Sequence, residues 1–206
     1  MTDFFALLGE PRQPWLELEP LKVKFLALSA QVHPDRVHGA PEAERAAAHQ
    51  RYTELNAAYQ SLREPKDRLR HLLELETGSL PKQVHNLSGE TTSWFTALTQ
   101  LREAVDSFLA ERSKVTSPLL KVPLFEQSQE WTDKLQATQK QISQRQEELM
   151  ARLKEMNATW AAAPAVGSPH RAASLPLQQL EEVYRAMSYL TRWRTQLQER
   201  LLQLAL

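Results

Sequence analysis

Apolar residues recur along the chain at steps of three and four, and Gly and Pro punctuate the runs. Gly9, Pro11 and Pro14 close a short opening segment. Leu21, Phe25, Leu28 and Val32 follow at steps of four, three and four, which predicts a helix from about Glu19 to Val32. Pro20 suits its first turn, where a missing N–H has no intrahelical partner to lose. His33-Pro34-Asp35 interrupts, because the residue before a proline disfavours helical geometry. Ala48, Tyr52, Leu55, Tyr59 and Leu62 then share one face and predict a helix from Pro41 to Arg63. Glu44, Arg45, Arg51 and Glu54 form its solvated side. Glu64-Pro65 stops that helix, and Leu69, Leu72, Leu73 and Leu75 mark a shorter amphipathic piece.

The span from Glu76 to Glu90 holds Gly78, Pro81, Asn86 and Gly89 and reads as a linker at a domain boundary. Trp94, Leu98, Leu101, Val105 and Phe108 predict the next helix, and Ser113 to Pro123, with Pro118 and Pro123, a loop. A long polar helix is seamed by Trp131, Leu135, Thr138, Ile142, Leu149, Leu153 and Met156. Ala161 to Pro176, rich in Ala, Pro and Ser, predicts a mobile loop. The last helix carries Leu180, Val183, Met187, Leu190, Leu197, Leu201 and Leu204 near heptad spacing. No alternation of Val, Ile and Thr suggests a strand. The fold class expected is all-α, with an N-terminal helical domain over 1–76, a linker over 77–90 and a three-helix bundle over 91–206.

Composition narrows the function. Lys plus Arg and Asp plus Glu are each 25 in 206 residues, so the formal net charge is zero. Nucleic-acid binders draw most of their affinity from a basic excess, and none is present. There are no cysteines, which excludes disulfide frameworks, zinc knuckles and thiolate-held clusters. The six histidines show no metal-ligand spacing. No run reaches the length of a membrane span, and Met1-Thr2-Asp3-Phe4-Phe5 resembles neither a signal nor a transit peptide. A cytoplasmic protein without membrane contact is expected. Paired carboxylates occur at Glu147-Glu148 and Glu181-Glu182, but on solvated helix faces, and no P-loop, nucleophile elbow or metal set accompanies them. Neither an enzyme nor a cofactor or metal site is expected.

The sharpest feature is His33-Pro34-Asp35 in a short connection between two amphipathic helices. With it come Asp3-Phe4-Phe5-Ala6-Leu7-Leu8-Gly9, the pair Lys24-Phe25, and Leu55-Asn56-Ala57-Ala58-Tyr59-Gln60-Ser61-Leu62. In this order and spacing they resemble the J-domain family: its opening helix ending in Leu-Gly, its second helix, its HPD loop and its third-helix signature. The resemblance implies an antiparallel hairpin whose loop docks on a DnaK- or HscA-type chaperone and stimulates its ATPase. Asp35 would offer a carboxylate to an arginine of the chaperone, Pro34 would fix the loop backbone, and His33 would orient it. The family's second helix is basic, and Lys22, Lys24 and Arg36 are the candidates here. Lys22 and Lys24 lie about 200° apart on a helix, and Leu26 and Ala30 occupy outward positions where relatives carry cations. A weaker electrostatic on-rate is therefore expected.

Neither a Gly/Phe-rich segment nor a cysteine-rich region follows. Pro65 to Leu75 instead is similar to the linking helix of the HscB family, the J-domain co-chaperones of iron–sulfur cluster biogenesis. That resemblance implies a C-terminal three-helix bundle that binds an iron–sulfur scaffold protein, with the cluster staying on the scaffold. Aligned on Leu101-Arg102-Glu103, the scaffold face would take Phe95, Thr96, Thr99, Gln100 and Glu103. Thr96 and Thr99 stand where the family has apolar residues, and Gln100 where it has an acid. Tyr189 matches an aromatic position on the last helix. Trp193 is open to two readings: an exposed neighbour of Tyr189 one turn on, or a member of the buried seam after Leu190. A bundle that serves a different client, or only a structural role, is the alternative that the threonines motivate.

Overall fold

The computed structural model describes residues 1–37, 39–80, 89–115 and 118–205. Eight α-helices and one 3-10 helix occur among them, with no strand. They are α1 (Phe4–Leu7), α2 (Leu18–Gln31), the 3-10 helix Pro34–Val37, α3 (Glu42–Arg63), α4 (Pro65–Thr77), α5 (Gly89–Arg112), α6 (Pro118–Ala162), α7 (Arg171–Ser174) and α8 (Leu177–Ala205). Helices α2, α3, α4 and α8 fall where the apolar stripes put them, within a few residues at each end, while α6 begins well before its stripe and α7 lies in a stretch expected to be a loop. Residues 81–88 of the expected linker lie outside the described residues.

The chain divides into two compact units: Met1–Lys82 with Leu149–Met187, and Gln83–Glu148 with Ser188–Leu206. Helices α6 and α8 each give residues to both.

The first unit begins with α1, whose N-cap Asp3 accepts hydrogen bonds from the backbone N–H of Phe5 and Ala6 at 3.0 and 3.2 Å. Helices α2 and α3 form a hairpin. Phe25 stacks on Tyr59 at 4.3 Å and the His33 ring meets Tyr52 edge-on at 5.3 Å, so the partners run in opposite order and the helices are antiparallel. Phe5, Leu8, Leu16, Leu21, Leu55, Ala58, Leu62, Leu69 and Leu72 make the core around it. Gly78, at φ 72°, ends α4 in the left-handed conformation that residues with a Cβ adopt at a cost.

Irregular segments in this unit are held by side chains that bond backbone. Arg68, buried on α4, donates to the carbonyls of Pro14 at 2.9 Å and Leu62 at 2.8 Å. Burial holds its pKa down to about 10, with the nearby Glu64 carboxylate acting the other way. Asn157 of α6 both accepts from the Trp15 N–H, at 3.0 Å, and donates to the Trp15 carbonyl, at 2.9 Å. Lys154 lies over the Trp15 ring at 4.7 Å.

The segment from Ala161 to Pro176, expected to be a mobile loop, is pinned instead. Arg171 makes a two-pronged ion pair with Glu76, Nε to Oε2 and Nη2 to Oε1 each at 2.9 Å, and donates to the Pro164 carbonyl at 2.7 Å. Both side chains are buried, at 8% and 3% exposure, so the charges are desolvated and depend on each other.

The second unit is a three-helix bundle. Phe95 lies near Tyr189, Asp106 pairs with Arg200, and Arg112 donates to the carbonyls of Gln203 and Leu204, so α5 and α8 run parallel. Phe108 meets Trp131, Arg112 meets Ser128, and Gln139 and Gln146 reach Gln198 and Arg194, so α6 runs opposite to both. Leu98, Val105, Leu135, Ile142, Leu190 and Leu197 fill the centre. The loop expected from Ser113 to Pro123 is shorter than the prolines suggested, because α6 already starts at Pro118 and carries Pro123 within it. Proline is well placed at a helix's first position, whereas Pro123 forgoes the bond its N–H would make one turn back and crowds the carbonyl there, a cost that the long α6 absorbs near its start.

Candidate functional site

Two groups of residues were singled out by sequence, and each stays together in the fold. The first lies at the turn of the α2–α3 hairpin. Helix α2 ends when the Val32 N–H bonds the Ser29 carbonyl at 3.2 Å, a tightened last turn that leaves His33 outside the helix. Pro34 to Val37 then wind into a 3-10 helix, closed by the Arg36 N–H on the His33 carbonyl at 3.0 Å. The His33 ring is turned against Tyr52, and its Nδ1 accepts the Asp35 N–H at 3.3 Å. The Asp35 side chain projects outward at 89% exposure, its Oδ2 3.5 Å from His33 Nδ1. The Pro34 side chain lies outside what is described; its backbone opens the 3-10 helix.

The basic residues behave less uniformly than their charge suggests. Lys22 is exposed. Lys24 turns to the end of α1, where it donates to the Gly9 carbonyl at 3.1 Å and pairs with Glu10 at 2.8 Å. Arg36 donates to the Ala30 carbonyl at 3.2 Å, which joins the loop to the last turn of α2. Two of the three cations are thus engaged within the fold.

The second group lies on α5 and α8 within the bundle. Phe95 sits 4.9 Å from the Tyr189 ring and 6.5 Å from that of Trp193, and Trp94 is 5.8 Å from Phe95. Phe95, Tyr189 and Thr99 are half-buried, while Thr96, Gln100 and Glu103 are exposed. Thr99 uses its hydroxyl on the Phe95 carbonyl of its own helix, at 3.0 Å. Trp193 is buried, at 8% exposure, which decides between its two readings: it joins the seam. The cause is α5, which brings Phe95 and the Arg102 guanidinium, 6.0 Å from the ring centre, over that side of α8. The same approach half-covers Tyr189, which helix phase alone pointed outward.

Sequence reading missed His71. It is buried, stacks on Phe4 at 4.4 Å, and its Nε2 accepts the Phe4 N–H at 3.1 Å. Burial pushes its pKa down, against the pull of Asp3 and Glu74. Arg68 was missed as well; both lie on the apolar side of α4 with Leu69, Leu72 and Leu73. Among the described residues, no three of His, Asp and Glu come together as a metal-holding group, and no helix is long and apolar enough to cross a membrane. Glu148 pairs with Arg145, and Glu181 with Arg185, on their own helices.

No protein-family model matches the chain. It is 33% identical over 109 residues to the co-chaperone protein HscB homolog of Chromobacterium violaceum, a match covering 53% of this chain and 61% of the relative. Among solved structures, the chaperone HscB from Vibrio cholerae shares the fold at a TM-score of 0.56, with 23% identity over 96% of each chain. Human co-chaperone protein HscB does so at 0.57, with 16% identity, covering 97% of this chain and 82% of that one. The HscB resemblance read from Pro65 to Leu75 is thus joined by similarity in sequence to an HscB homolog over 53% of the chain and by likeness in fold to two solved HscB structures.

Proposed function

We propose that this chain is a cytoplasmic J-domain co-chaperone of iron–sulfur cluster assembly, with no catalysis of its own. Residues 1–76 stimulate the ATPase of a DnaK- or HscA-type chaperone. The C-terminal region, residues 91–206 beyond a linker over 77–90, delivers an iron–sulfur scaffold protein to it through the bundle. The observation that carries the reading is the HPD turn: Asp35 stands 89% exposed on a short 3-10 helix while His33 is turned inward on Tyr52. That arrangement suits one task, offering a carboxylate in a fixed direction to a cation of a partner. A guanidinium can meet it with two parallel N–H donors. Pro34 limits the backbone freedom of the turn, and His33 holds the Asp35 N–H. Lys22, Lys24 and Arg36 supply the positive charge around it, diminished by the internal ties of the last two.

The test is ATP turnover by a DnaK-type chaperone of the source organism with increasing amounts of this protein. Asp35→Asn and His33→Gln should each abolish stimulation with helicity unchanged by circular dichroism. Normal stimulation by either would overturn the mechanism.

For the scaffold, the supporting observation is the Phe95–Tyr189 pair, half-exposed beside the polar row Thr96, Gln100 and Glu103. Aromatic side chains of this kind are common anchors in protein interfaces. Calorimetric titration against the organism's own iron–sulfur scaffold should show saturable binding that Tyr189→Ala removes. The polar character of Thr96, Thr99 and Gln100 favours a second reading, a different client on the same face. Absent scaffold binding with intact ATPase stimulation would select it.

A further inference from the structure

We infer that His71 is a proton-sensitive latch on α1: the neutral ring holds this helix closed, and an imidazolium there opens it locally while the α2–α3 hairpin stays folded. Helix α1 is a single turn, so its first three N–H groups have no partner within it. Asp3 takes those of Phe5 and Ala6 through one carboxylate oxygen, at 3.0 and 3.2 Å. The Phe4 N–H goes instead to Nε2 of His71 on α4, 67 positions away, at 3.1 Å. The same ring stacks on Phe4 at 4.4 Å and lies 6.0 Å from that of Phe5. One side chain thus supplies both an acceptor and an apolar face to the start of α1.

An imidazole nitrogen accepts a hydrogen bond only while it carries no proton. Protonation turns Nε2 into a donor that faces the Phe4 donor, and the bond is lost. An open cleft of about 600 Å³ beside the ring gives protons a way in. Charged groups reach the ring from two sides: Asp3 and Arg12 from the opening segment, whose Met1 lines the cleft, and Glu74 from α4, with Asp67 and Arg70 along the cleft. Helix α3 contributes uncharged Gln60 and Ser61. Asp3 is already committed to two N–H groups and to Arg12, at 2.8 Å. An imidazolium that drew it away would undo the cap of α1 as well.

Burial holds the ring's pKa below the ordinary histidine value against the pull of Asp3 and Glu74, with Arg12 acting alongside burial. The closed state is therefore fully held above that value and loses ground as pH falls below it. The hairpin keeps contacts of its own when α1 lifts, Phe25 on Tyr59 among them.

Native-state hydrogen exchange, with rates divided by those of the unstructured chain at each pH, reads the opening. The Leu7, Leu8 and Glu10 amides, bonded within the α1 turn, report on it. From about pH 7.5 to 5.5, one unit either side of the ordinary histidine value, their protection should fall, by up to about tenfold per unit below that value. Low urea should speed exchange at Leu55 and Ala58 of α3 and leave the α1 amides unmoved, the mark of a local opening. His71→Gln, which keeps an acceptor that does not titrate there, should remove the pH dependence of α1. Protection of α1 that is equal at both pH values overturns the inference, as an imidazolium held by Asp3 with α1 in place would give. So does a fall that His71→Gln shares, or an equal urea response of α1 and α3, which would leave His71 a contributor to global stability alone. The pH and urea arms need only the wild-type chain, so a variant that fails to fold does not spare the inference.

Discussion

The two compact units are stabilised in different ways. The bundle is helix against helix along its length, with an apolar centre and polar bonds mainly at its margins: Arg200 with Asp106, and Arg112 on the last carbonyls of α8. The other unit contains two largely irregular stretches, 8–17 and 163–176, the second interrupted only by the one-turn α7, so long helices do not satisfy their backbone groups. There the bonds come from long polar side chains: Arg68 on Pro14 and Asn157 on Trp15 from far away in sequence, and Arg171 on Pro164 from within its own stretch. Buried backbone polar groups must find partners. A regular bundle meets that demand with its own helices, while a fold with loops must recruit long polar side chains. The stability of the first unit should thus depend on single charged residues, and that of the bundle on volume.

Replacing Arg68 with Ala should show the largest effect. It strands two buried carbonyls and opens a cavity, for a loss of about 3–5 kcal/mol in chemical denaturation. A loss below ~1 kcal/mol would break the contrast. Next, Glu76→Gln keeps the shape and leaves the Arg171 guanidinium buried without its counter-charge, at about 2–3 kcal/mol. Adding Arg171→Met should recover part of that loss, a coupling that a double-mutant cycle measures. In the bundle, Trp193→Phe trims volume and should cost about 1–2 kcal/mol, with no sensitivity to salt. The smallest effect is one of pH. His71 is neutral in the fold with a lowered pKa, whereas the unfolded chain takes up a proton near the ordinary value of about 6.5. Stability is complete above that pH and falls as pH drops below it, because the unfolded state binds more protons. Denaturation at pH 7.5 and 5.5 (about one unit either side of that value) should show this loss in wild type and a smaller one in His71→Gln. Equal losses would remove His71 from the account.

Most of the helices could be read from the sequence because a buried helix face repeats every three or four residues and leaves a trace at short range. The HPD turn was legible for a different reason: its residues, and the elements flanking it, sit together along the chain. What could not be read were contacts between residues with no periodic relation. Arg171 appears in sequence as one cation in an Ala, Pro and Ser stretch, and nothing local tells of Glu76. Helix phase correctly placed Leu190 and Leu197 but left Trp193 between two faces, since the answer depends on where α5 passes. The prolines at 118 and 123 suggested a loop because propensity weighs each residue alone, while the amphipathic length of α6 carries the helix through the second of them.

The ion pair between Glu76 and Arg171 joins residues 95 positions apart, and synthesis gives that separation a duration. At roughly 5–20 residues per second, a ribosome releases Arg171 about 5–20 s after Glu76. For that interval α4 has emerged with a carboxylate meant for burial and no counter-charge, and Trp15 waits longer still for Asn157. The nascent hairpin can present its HPD turn before the unit that supports it is complete. Finishing the first unit therefore waits until Leu149–Met187 have been made.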